Sequence, residues 1–155
     1  MNLRYEQAWD LPVDLFDEGD PITLQAAGGA TPAFTAATTG VEALQATLPC
    51  DEIPAKGQDL VITWTPAAAP GAKVRWEMTQ DIHLYQGPRI RCEVDDSGSL
   101  TIPAQMMDAY VHAEKHFLFL TRYHDDVAFP GGNREVAFEV GSQVMCVVNP
   151  KHTPW

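Results

Sequence analysis

The sequence predicts a mainly β domain, an antiparallel sandwich with one short helix around residues 103–114. Two observations carry this: apolar residues recur at every second position in several short runs, and the runs are joined by turn-formers rather than helices. In LVITWT, Leu60, Ile62 and Trp64 share one face. KVRWEMT puts Val74, Trp76 and Met78 inward, and Lys73, Arg75, Glu77 and Thr79 outward. RIRCEV repeats the split with Ile90, Cys92 and Val94, as does REVAFEV with Val136, Phe138 and Val140. QVMCVV follows with Val144, Cys146 and Val148. Alternating apolar and polar neighbours put both Trp64 and Trp76 in the core.

The connections agree with strands. PAAAPGA (Pro66 to Ala72) contains two prolines and a glycine, which oppose helix. DDSGS and FPGGN are turn sequences between β-rich runs. Strands joined this way argue for an antiparallel sandwich rather than a βαβ sheet. The helix is predicted from IPAQMMDAYVHAEKH, where Pro103 suits a first helical position. Met106 and Tyr110, with Met107 and Val111, would face the core at helical spacing. In residues 1–49, LRYEQAW and DPITLQAA could be strands, while GGATPAFTAATTG reads as an irregular or edge segment. The chain is read as one domain over 1–155, with residues 46–58 (ATLPCDEIPAKGQ) the best candidate boundary.

Size and charge narrow the function. A chain of 155 residues buries enough surface for a real core. Ten Lys and Arg stand against 21 Asp and Glu, a net −11. Before Leu60 there are two basic and ten acidic residues, and from Leu60 onward eight and eleven. Nucleic-acid binders cluster basic residues to neutralise phosphates; here they are scattered, so neither a nucleic acid nor an anionic membrane surface is an expected partner. There is no run of 18 apolar residues, and hence no expected membrane insertion. The opening MNLRYEQAWDLP has no basic stretch followed by an apolar one, so no secretory leader is read there. That suits a cytoplasmic chain or a piece of an exported one.

The middle of the chain resembles known domains. GQDLVITWTPAAAPGAKVRWEM is similar to the paired strands of immunoglobulin-like and fibronectin type III-like domains, with a Trp of the second strand at the centre. A longer resemblance is to uncharacterised domains of secreted proteins and lipoproteins of Gram-negative bacteria. Their pattern of a PAF segment, a DLxVxWTP strand, a VxCxVxDxGSxTIPAxxL unit and a closing strand pair matches Pro32 to Phe34, Asp59 to Pro66, Ile90 to Met107 and Phe117 to Val148. It implies an immunoglobulin-like sandwich at a periplasmic, cell-surface or extracellular location, without assigned catalytic residues. VHAEKHFLF (Val111 to Phe119) departs from it in being longer and richer in His. The expected function is a non-enzymatic envelope module with a structural, adhesive or protein- or glycan-binding role.

Three cysteines, Cys50, Cys92 and Cys146, show no CxxC spacing. Cys92 and Cys146 occupy inward positions of strands, and the oxidising compartment implied by the resemblance would let a bond between them persist. The expected disulfide is therefore Cys92–Cys146 with Cys50 free; the alternatives are a bond using Cys50, or three buried thiols.

Candidate chemistry is sparse. No GxSxG elbow, GxGxxG or phosphate loop occurs, so no nucleophile or nucleotide site is expected. The alternative function is metal binding. A helix continuing through residue 116 would align Asp108, His112 and His116 on one face, two imidazoles and a carboxylate suited to Zn or Cu. His124, Asp125 and Asp126 could approach from the next turn. Acidic loops at Asp14, Asp17, Glu18 and Asp20, and at Asp95 and Asp96, have the oxygen-rich character Ca favours, without an EF-hand spacing. Trp9, Tyr85 and Trp155 lie outside clear strands and are free to form a binding surface.

Overall fold

The structure is a computed structural model that describes residues 15–51, 53–82, 85–86, 88–109, 115–132 and 134–148. Each alternating run is a strand: β4 (Leu60–Trp64), β5 (Lys73–Ile82), β7 (Ile90–Asp95) and β10 (Val136–Val148). They join β1 (Pro21–Ala26), β2 (Phe34–Thr39), β3 (Ala46–Thr47), β6 (Tyr85–Gln86), β8 (Ser99–Ile102) and β9 (His116–Ala128). All pairings are antiparallel.

A five-stranded sheet runs β10–β9–β5, with β6 and β7 both pairing along the far edge of β5. A three-stranded sheet runs β3–β4–β8. Alternation makes each sheet two-faced, and the apolar faces meet. Val74, Trp76, Met78, Ile90, Leu118, Leu120 and Val148 from the large sheet form one cluster with Leu60, Ile62, Trp64 and Ile102 from the small one. Trp76 is wholly buried and Trp64 nearly so, as the alternation predicts.

β9 and β10 are each 13 residues long, about 43 Å at the usual rise per residue. β5 pairs with β9 only over His116 to Tyr123. The overhang, residues 124–128 with 136–140, is backed by the β1–β2 ribbon. Asp126 Oδ2 accepts from the Ala37 amide at 2.8 Å, and His124 Nδ1 lies 2.9 Å from Thr39 Oγ1. Thus GGATPAFTAATTG, read from sequence as irregular or edge, supplies the paired strand β2.

The helix is shorter than predicted. α1 spans Ala104–Asp108, and Ala109 already lies in a turn. Asp59 Oδ1 accepts from the Ala104 amide at 2.7 Å and holds the first turn. Asp108 sits at the far end, where a carboxylate opposes the helix dipole, and its Oδ1 instead accepts from the Gly57 amide at 2.9 Å. His116 is not helical: it opens β9, opposite Val148 and Gln80. Residues 110–114, including Tyr110, Val111 and His112, lie outside the described residues.

The cysteine pairing also differs. Cys50 and Cys146 form the disulfide, with Cα atoms 5.7 Å apart, and Cys92 is free. Cys92 and Cys146 do face the same core, as their inward positions predict. Strand order separates them, because β5 and β9 lie between β7 and β10. Three strand spacings amount to about 14 Å, twice the reach of a disulfide.

Among the described residues, an ion pair is placed inside. Arg122, on the core-side face of β9, is 1% exposed at its side chain and its partner Asp96 7%. Arg122 Nε donates to Asp96 Oδ2 at 2.8 Å, Nη1 to the Glu42 and Ala43 carbonyls, and Nη2 to the Thr65 carbonyl. Asp96 also accepts from Trp64 Nε1 at 2.5 Å and from the Ala67 amide at 3.0 Å. On the neighbouring strand a Cβ at Gly141 would stand 2.9 Å from the Arg122 carbonyl oxygen, so this position has room only for glycine.

Two outcomes follow from this packing. Peptide mapping without reduction should give a Cys50–Cys146 linked peptide and one alkylatable thiol, Cys92; a Cys92 linkage would contradict the strand order. Arg122→Met should cost about 3–5 kcal/mol in urea unfolding, because it leaves the Asp96 carboxylate buried without its counter-charge. Adding Asp96→Asn should recover part of that loss.

Candidate functional site

The structure brings the sequence-predicted ligands into no common site among its described residues. Asp108 caps the Gly57 amide at the end of α1, while His116 begins a strand and is fully buried on the core face. The single helical face that would have aligned them is absent, and His112 lies outside the described residues. His124 is held at Thr39, Asp125 pairs with Lys73, and Asp126 holds Ala37. Asp96 is committed to Arg122 and Trp64. In the 17–20 loop, Asp20 Oδ2 accepts from the Asp17 amide at 2.9 Å, closing a turn. Among the described residues no three His, Cys, Asp or Glu side chains are grouped to hold a metal ion. Trp9, Asp14 and Trp155 lie outside the described residues, as does the side chain of Tyr85.

What the fold does assemble is the outer face of the five-stranded sheet. The same alternation that sends Val74, Trp76 and Met78 inward lines up the intervening residues on this face. Arg75 is its centre. Its two terminal nitrogens donate to Glu139 at 2.7 and 2.6 Å, a bidentate pairing across β9, and its guanidinium lies 4.9 Å from the Tyr123 ring centroid. Glu77 receives Arg89 at 2.6 Å, Arg91 hydrogen-bonds Glu93, and Lys73 meets Asp125 at 3.1 Å. Four basic residues thus meet five acidic ones, counting Asp95, on a chain whose net charge is −11.

The pairings shift the titrations in matching directions. The Glu139 hydrogen bond raises Arg75, that of Asp125 raises Lys73, and that of Glu93 raises Arg91. Glu93 is lowered, chiefly by the hydrogen bond from Arg91. Burial raises the Tyr123 hydroxyl, and it raises the Cys92 thiol on the opposite face, which disfavours a reactive thiolate there.

Beside the charged band the face turns apolar. Phe117 and Phe119 are half-buried, and Val147 and Met145 stand directly opposite them on β10. Met145 is 57% exposed and Val147 38%. The sequence placed Lys73, Arg75, Glu77 and Thr79 outward, but neither their pairing across strands nor the apolar patch beside them was read from it. The cue was present in the facing patterns KVRWE and RIRCE, whose outward charges interleave once β5 and β7 are paired.

Compared with protein-family models, curated proteins and solved structures, the chain matches none.

The ion-pair band makes a pH prediction. A carboxylate lowered in the fold contributes stability above its unfolded value, about 4.3 for Glu, and loses it as pH falls through the folded value. The raised Lys and Arg groups contribute throughout this range and lose their share only in strong alkali. Glu93→Gln should therefore flatten the acid-side fall of the melting temperature between the folded and unfolded values of Glu93. The side chain of Glu93 is 43% exposed, so the effect is small and salt-sensitive.

Proposed function

We propose that this chain is a non-enzymatic, immunoglobulin-like β-sandwich module of the cell envelope or of a secreted protein, serving a structural or adhesive role by holding a protein or glycan partner. The observation that carries the compartment is the Cys50–Cys146 disulfide. Such bonds persist outside the reducing cytosol, in the periplasm, at the cell surface or beyond it. The sandwich reading is supported by two antiparallel sheets that share one core, with Trp76 wholly buried on a central strand. The adhesive reading rests on the outer face, where an aromatic, a bidentate Arg and exposed apolar side chains sit side by side. Binding surfaces are enriched in such groups.

The test is made on the full gene, expressed in its own host with a carboxy-terminal epitope tag. Cells are fractionated, and free thiols are alkylated before lysis. The expected result is envelope or culture-medium localisation, with Cys50 and Cys146 protected and Cys92 alkylated after unfolding. Recovery in the cytosolic fraction with all three thiols reduced would overturn the proposal.

A further inference from the structure

We draw no further inference here: the strongest candidate, the exposed and uncharged outer face of the β3–β4–β8 sheet, where Thr47, Thr63 and Ser99 stand in one row beside Val61 and Thr101, carries nothing because a patch of small hydroxyl side chains is not by itself a site and nothing in the structure shows what covers it.

Discussion

A guanidinium inside a β core must be met by acceptors from every side or it costs several kcal/mol. Arg122 meets that demand with Asp96 from the β7–β8 turn, the carbonyls of Glu42 and Ala43 before β3, and that of Thr65 after β4. None of these segments is adjacent to the others in sequence. Asp96 extends the network to the indole of Trp64 and the Ala67 amide, so the end of the small sheet is drawn against β9 by polar bonds as well as apolar packing. The three connecting segments cannot drift independently without leaving a charge or a carbonyl unmatched. Gly141 belongs to the same arrangement, since its missing side chain lets β10 lie close against the strand that carries Arg122.

With that end of the structure held, the two faces of the large sheet take different chemistry from one alternating pattern. Inward positions supply the shared core, and outward positions supply a nearly neutral band followed by an apolar patch. Cross-strand partners on one face stand about 4.5–5.5 Å apart, which is why charges two residues apart on β5 find opposite charges on β7 and β9. The ladder is a product of strand register. A slip of one residue would send Arg75 and Glu77 into the core.

The strands with clean alternation, β4, β5, β7 and β10, were legible because one face is apolar and the other polar. β9 was not. Its Phe117, Leu118, Phe119 and Leu120 are apolar on both faces, since it is a central strand with a core on one side and an aromatic patch on the other. Its inward face also bears His116 and Arg122, residue types that sequence reasoning assigns to solvent. The same masking let the helical pattern of Asp108, His112 and His116 extend on paper into what is a strand. For the cysteines, the face of each residue in a strand was readable and the order of strands was not. Two inward thiols look alike in sequence whether neighbouring or three strands apart. The outer-face ladder was hidden for the same reason, because its cue lies in which strands pair.

The overhang of β9 and β10 bears on how the chain is made. The β1–β2 ribbon has two strands, too few to be stable in water by itself. The side chain that holds it at Ala37 belongs to Asp126, 89 residues further along. During synthesis from the amino terminus the ribbon is therefore complete long before its backing exists. Until the final hairpin emerges, its inward Ile22, Leu24 and Phe34 have no surface of their own to rest on. The early part of the chain must wait, open to chaperones and proteases, for the last strands to arrive.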